Sequence, residues 1–114
     1  MKDNLFMVDT NVLIYLLSAN DDSKRTIADS LMLQNPIVAN QVVTEFINVS
    51  RRLLKISKTE LMQRVNLLFA NSVIIPTTHR VLFDAQTLIT EYDFQIFDAI
   101  IVASALAANC TILY

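Results

Sequence analysis

The chain of 114 residues has room for one hydrophobic core, and 54% of its residues are hydrophobic against 18% charged, which excludes a disordered chain. The net charge of −2 gives no overall basic field, so any contact with a nucleic acid must come from a local patch. The absence of glycine excludes a P-loop, a dinucleotide-binding turn and a GxSxG nucleophile elbow, and the single cysteine excludes an internal disulfide.

Short apolar runs alternate along the chain with segments of helical periodicity. The predicted strands are 5–8, 37–39, 73–75 and 111–114, and the predicted helices are 12–17, 23–33, 41–54, 61–69, a segment ending near 91, and 96–108. Asn40 is expected to cap one helix, Ser57 begins a capping box with Glu60, and Thr77 or Thr78 can cap another. Because the strands lack a polar alternate face, we predict one domain over 1–114 with three-layer α/β/α architecture, a parallel sheet of about four short strands flanked by helices.

Backbone positions in the left-handed region need a residue other than glycine in this chain. Asparagine tolerates that region better than most residues with a side chain. Asn20, Asn35, Asn71 and Asn109 each lie near the end of a predicted helix, where such a conformation is common. We therefore expect these asparagines to end helices in place of glycine.

Three acidic residues interrupt stretches that are otherwise apolar. Asp9 follows the first predicted strand, Glu45 lies in the helix after the second, and Asp98 opens the last helix. The carboxyl ends of parallel strands meet at one edge of a sheet, so we expect these carboxylates to gather there. Gathered carboxylates repel one another, and a divalent cation such as Mg²⁺ or Mn²⁺, which prefers oxygen ligands, relieves that repulsion. Such an ion can activate water for attack on a phosphodiester.

Each acid also has a purely structural explanation when taken alone. Asp9 could only cap the helix that follows it, Asp98 could only favour the dipole of its helix, and Glu45 could reach solvent. It is the coincidence of the three that favours the functional interpretation.

The segments around these acids resemble a known family. Met7-Val8-Asp9-Thr10-Asn11-Val12-Leu13 resembles the opening strand and first acid of the PIN-domain family, in particular the toxin ribonucleases of bacterial toxin–antitoxin pairs often called VapC. Thr44-Glu45-Phe46 resembles its second acid, and Phe97-Asp98-Ala99-Ile100-Ile101-Val102-Ala103-Ser104-Ala105 resembles its third acid and the helix that carries it. The match runs over the whole chain in order and spacing.

The resemblance implies an endoribonuclease that depends on magnesium or manganese and cleaves RNA. Asp9, Glu45 and Asp98 would hold the metal and orient the attacking water. Thr10 and Asn11 would support Asp9 by hydrogen bonds. The resemblance also implies a homodimer that is held inactive by a cognate antitoxin protein.

One departure from the family concerns the end of the sequence. The family commonly has a further acidic residue a few positions after the strand that Cys110-Thr111-Ile112-Leu113-Tyr114 resembles, and then a last strand. The chain is therefore expected to lack the final acidic loop and the last strand of a PIN-like domain. A noncatalytic PIN-like module that binds a protein is the alternative to an enzyme.

Five of the nine basic residues lie around the junction of two predicted helices. They could contact the RNA backbone or an acidic segment of the antitoxin, or form a solvated helix end. These residues are Arg51, Arg52, Lys55, Lys58 and Arg64.

Other functional classes are less well supported by the sequence. A phosphorylatable receiver module needs a lysine late in the chain, whereas the last lysine here is Lys58. His79 is expected at the surface, and Cys110 and Ser104 are expected to pack, because neither has a histidine placed to activate it. With one cysteine and no apolar stretch near the roughly 20 residues of a membrane span, we expect a cytoplasmic protein without a membrane segment.

Overall fold

The computed structural model of the chain describes residues 5–17 and 22–114. Over these residues the elements follow in the order β1 Phe6–Met7, α1 Thr10–Tyr15, α2 Asp22–Leu33, β2 Ile37–Ala39, α3 Asn40–Leu53, α4 Lys58–Leu68, β3 Val73–Ile75, α5 His79–Tyr92, α6 Ile96–Ala107 and β4 Ile112–Leu113. None of the helices in these ranges has both the length and the hydrophobicity of a membrane span.

The four strands form one parallel sheet in the order β3-β2-β1-β4, flanked by helices. Met7 pairs with Ile37 of β2 on one side and with Leu113 of β4 on the other. The chain moves outward from β1 through β2 to β3 and then returns to the opposite side with β4. The strand order therefore reverses beside β1, and the crevice beyond the carboxyl ends of the strands at such a point is where parallel sheets bind ligands. The predicted α/β architecture is confirmed.

The main core joins the sheet to helices α1, α2, α3, α4 and α6. Met7, Leu13 and Val38 are fully buried in it, and each such side chain contributes about 1.5–3 kcal/mol when it leaves water. Phe46 of α3 and Phe69 at the end of α4 meet edge to face with their ring centroids 6.0 Å apart. This contact packs α3 against the end of α4.

A second apolar cluster lies between α5 and α6. It contains Val81 and Ala85 of α5 with Ala99, Ile100 and Ala103 of α6. Since other residues of α6 belong to the main core, this helix is buried on two sides, which agrees with its almost uniformly apolar sequence. Both clusters therefore fix the position of α6, which carries Asp98 in its first turn.

Two of the predicted helix caps are confirmed and one is wrong. The N–H of Glu60 donates to Ser57 Oγ at 3.1 Å, and the N–H of Val81 donates to Thr78 Oγ1 at 3.2 Å. Asn40 is not a cap, because β2 runs directly into α3 without a turn and Asn40 is already the first helical residue. Extended Ala39 precedes it and makes no side-chain cap bond.

Backbone with positive φ occurs at Asn35 and Asn109, as predicted, with φ of 55° and 58°. The same conformation occurs at Asp93, where φ is 58° and α5 ends. Aspartate shares the tolerance of asparagine for this region, so a helix can end on either residue in place of glycine. Asn71 has no positive φ, and the prediction for it was wrong. Asn20 lies outside the described residues.

Candidate active site

Asp9 occupies the crevice beside β1, two residues after that strand ends. Its backbone N–H donates to the carbonyl oxygen of Tyr114 at 3.0 Å, next to the pairing of β1 with β4. Its side chain caps α1, with Oδ1 accepting from the N–H of Thr10 at 2.6 Å. The sheet thus fixes the backbone of Asp9, and the helix start fixes its half-buried carboxylate.

Glu45 reaches the same place from α3. Thr10 Oγ1 donates to Glu45 Oε2 at 2.7 Å, and Gln41 Nε2, one helical turn earlier, donates to Glu45 Oε1 at 3.0 Å. Both carboxylate oxygens therefore have a protein donor. Thr10 is only 6% exposed and contacts both acids, Asp9 through its backbone and Glu45 through its hydroxyl.

Asp98 lies in the first turn of α6 and is exposed. It lines one open pocket of about 460 Å³ together with Asp9 and Glu45. A neighbouring groove of about 320 Å³ also contains Asp9 and Asp98 and is otherwise lined mainly by the turn before α6 and by Leu113 of β4. The structure thus brings the three predicted acids to one pocket. The remaining residues that line it are Thr10, Asn11, Ile14, Asn48, Val49, Arg52 and Ile101.

Negative charge accumulates in this pocket without an ion pair. Burial raises the pKa of Asp9 above its ordinary value of 3.8, the hydrogen bond from the Thr10 N–H opposes that shift, and the charges of Asp98 and Glu45 raise the pKa further. None of the three acids forms a salt bridge with a residue in the described ranges. The charges of Asp98 and Glu45 are therefore close enough to disfavour the ionised form of Asp9.

The donor chemistry of the pocket fits a hard divalent cation, because carboxylate oxygens are the ligands that such ions prefer. Within residues 5–17 and 22–114, however, no three His, Cys, Asp or Glu side chains lie as close together as the ligands of one metal ion. Glu45 is held by two hydrogen bonds, whereas Asp98 is exposed and its rotamer is less constrained. Coordination of one ion by all three would therefore require a side-chain rearrangement.

The other predicted site residues have different positions. Thr10 joins Asp9 to Glu45, as described above. Asn11 lines the pocket and is exposed, but it forms no hydrogen bond with Asp9 in the part of the chain that the structure describes. The expected hydrogen-bonded support of Asp9 thus comes from Thr10.

Of the five basic residues at the helix junction, Arg52 alone lines the pocket. Arg64 is paired with Glu60 of its own helix at 2.8 Å. Arg51, Lys55 and Lys58 are exposed outside the pocket. The five therefore do not act as one surface at the acidic site.

Sequence reasoning missed Gln41 and Asn48 as members of the site. Gln41 precedes Glu45 by four residues and Asn48 follows it by three, the spacings at which side chains share one face of a helix. Once Glu45 was singled out, that spacing could have identified both residues.

The chain is similar to a known protein family and to several solved structures. The family model described as PIN domain matches residues 6–114. A toxin–antitoxin complex from Klebsiella pneumoniae is similar with a TM-score of 0.74 and 21% identity, over 95% of this chain and 83% of that chain. VapC20 from Mycobacterium tuberculosis, described as a sarcin-ricin loop cleaving toxin, has a TM-score of 0.73 and 18% identity, over 96% of this chain and 87% of that chain. FitAcB from Neisseria gonorrhoeae has a TM-score of 0.70 and 22% identity, over 95% of this chain and 85% of that chain. Identities this low show a shared fold, and a comparison with curated protein sequences found no match.

The raised pKa of Asp9 makes a prediction about stability and pH. Because the folded state favours protonated Asp9, ionisation of this group destabilises the fold as pH rises from 3.8 through the raised value, and the loss is complete above it. Asp9→Asn keeps the cap and removes the charge, so we expect a higher melting temperature than wild type at pH 7 without divalent ions. The advantage should shrink as pH falls through that window. If the melting temperatures of Asp9→Asn and wild type differ by the same amount at pH 4 and at pH 7, the prediction is wrong.

The bond between Thr10 and Glu45 can be tested by urea unfolding. Thr10→Val removes the hydroxyl donor from a partly buried carboxylate, which should lower the free energy of unfolding by about 1.5 kcal/mol, the low end for hydrogen bonds to charged groups. Thr44→Val is the matched control, since its exposed hydroxyl only donates to the carbonyl of Asn40 at 3.2 Å. Equal losses in the two variants would show that the bond adds nothing specific.

Proposed function

This chain belongs to the PIN domain family, and from that premise we propose that it is a metal-dependent endoribonuclease that cleaves RNA phosphodiester bonds. The observation that carries the proposal is the meeting of Asp9, Glu45 and Asp98, from three separate segments, in one pocket beyond the carboxyl end of β1. The similarity in fold to a toxin named for cleaving the sarcin-ricin loop also supports it.

In this proposal the three carboxylates would hold Mg²⁺ or Mn²⁺ after a side-chain rearrangement brings them together. When bound, such an ion polarises a phosphoryl oxygen and lowers the pKa of a bound water. Thr10 and Gln41 fix the carboxylate of Glu45 by donating to its two oxygens, and the sheet fixes the backbone of Asp9. Asn11, which lines the pocket next to Asp9, would donate a hydrogen bond from its side-chain amide to the substrate. The protein's part is thus to hold the carboxylates in place at the reacting phosphate.

We further propose that the protein is the toxin of a toxin–antitoxin pair. Several structures with the same fold are of toxin–antitoxin complexes, which supports a cognate antitoxin as its partner. A homodimer and a cytoplasmic location belong to the same proposal, the latter because the proposed substrate is cellular RNA. Arg52, which lines the pocket, is its candidate contact with RNA, and the basic residues outside the pocket, Arg51, Lys55, Lys58 and Arg64, are candidate contacts with the antitoxin.

The catalytic proposal predicts the effect of one substitution. Asp98→Asn removes one carboxylate while leaving an exposed residue in a first helical turn, so we expect loss of metal-dependent cleavage of a mixed RNA pool without loss of helical circular dichroism. Asp29→Asn, an exposed acid on α2 outside the pocket, is the control and should cleave as wild type does. Full activity in Asp98→Asn would refute the assignment of the site.

Metal binding should also stabilise the fold. A ligand that binds only the native state at ten times its dissociation constant adds about 1.4 kcal/mol, which corresponds to a rise of about 5 °C in melting temperature for a domain of this size. We expect this rise with millimolar magnesium and a smaller one in Asp98→Asn, with sodium chloride at equal ionic strength as the control. A flat response, together with no heat of binding for magnesium or manganese and no RNA cleavage, would favour the noncatalytic binding module.

A further inference from the structure

One face of α3 forms a wall of the acidic pocket. Glu45, Asn48, Val49 and Arg52 all line it, and their spacing of three, four and seven residues is that of a single helical stripe. Seven residues make about two turns, so Arg52 lies about 10 Å along the helix axis from Glu45. The carboxylates therefore occupy one end of this stripe and a guanidinium the other.

Within the described residues, three of the five arginines form an ion pair, whereas Arg51 and Arg52 form none. Arg25, Arg64 and Arg80 are each paired with an acid on their own helix at 2.9, 2.8 and 3.2 Å. Arg52 pairs with no residue in the described ranges, although it lines a pocket that contains three acids. Its charge is therefore available to a ligand that enters the pocket.

The helix dipole does not account for this placement. Arg51 and Arg52 both lie in the last turn of α3, where a positive charge is favourable. Both are exposed, yet only Arg52 lines the pocket. The neighbouring residue of equal charge is thus an internal control for general electrostatics.

An RNA strand in this pocket would face three negative groups and one positive group. The guanidinium of arginine can donate two parallel hydrogen bonds to a phosphate, which no other side chain on this wall can do. Its distance from Glu45 along α3 separates it from the phosphate that would react at the carboxylates. The geometry fits a phosphate further along the strand.

We propose that Arg52 binds the backbone phosphate next to the one that is cleaved, and so holds the RNA strand along α3. This inference rests on the proposed RNA cleavage and adds the residue that binds the substrate. Asn48, between Glu45 and Arg52 on the same face, would then lie beside the nucleotide that joins the two phosphates.

The test measures binding separately from cleavage. A fluorescent single-stranded RNA of mixed sequence is titrated with protein carrying Asp98→Asn in magnesium, alone and combined with Arg52→Ala, Arg51→Ala or Arg52→Lys. We expect Arg52→Ala to weaken binding about tenfold, the loss of a charge-assisted hydrogen bond, and to flatten the slope of log affinity against log salt by about 0.7. Arg51→Ala should change affinity less than about twofold. Arg52→Lys should keep the salt slope but lose part of the affinity, because lysine lacks the planar fork.

The cleavage assay separates this inference from the proposed function. With Asp98 intact, Arg52→Ala should raise KM for RNA about tenfold and Arg51→Ala should not. If the protein with both residues intact cleaves no RNA in magnesium or manganese, the proposed function fails, and the binding titration still decides the role of Arg52. Equal weakening by Arg52→Ala and Arg51→Ala, or no weakening by either, would overturn the inference. If Arg52→Ala abolishes binding to a short polyglutamate peptide but leaves RNA affinity unchanged, Arg52 binds an acidic protein segment and the inference is overturned.

Discussion

The acidic pocket depends on Thr10 more than on any other uncharged residue. Its N–H donates to Asp9 and its hydroxyl donates to Glu45, so one nearly buried residue joins two carboxylates that are 36 positions apart in the sequence. At Asp9 the hydrogen bond from Thr10 favours the ionised form, and it partly opposes the burial and the like charges that raise the pKa of Asp9. The carboxylates can lie in one pocket because such donors are present.

The same pocket weakens the fold that forms it. Asp9 is partly buried near Asp98 and Glu45, and its pKa is raised, so its ionised form is less favourable in the folded than in the unfolded chain. A locally unfavourable arrangement that the rest of the structure enforces is common at functional sites. Here the enforcement comes from β1 between two parallel neighbours and from α6, which is buried in both apolar clusters.

Agreement between sequence and structure was best where a signal is local. The capping box at Ser57, the cap at Thr78 and the strand at 73–75 each depend on a few neighbouring residues, and each was confirmed. Asn40 failed because the rule for caps assumes a turn before the helix, whereas β2 continues directly into α3. Asp93 was missed because only asparagine was considered for left-handed backbone.

The sequence by itself determined the alternation of strands and helices, the parallel sheet, and three acids placed after or beside its strands. The tertiary structure decided which residues share the pocket with them. It places Arg52 but not Arg51 at the pocket, and it places Gln41 where its amide donates to Glu45. It also left Asp98 exposed beside partly buried Asp9. The physical reason is that periodicity and propensity act over a few residues, whereas a pocket is formed by side chains from elements that meet only when the sheet order and helix packing are set.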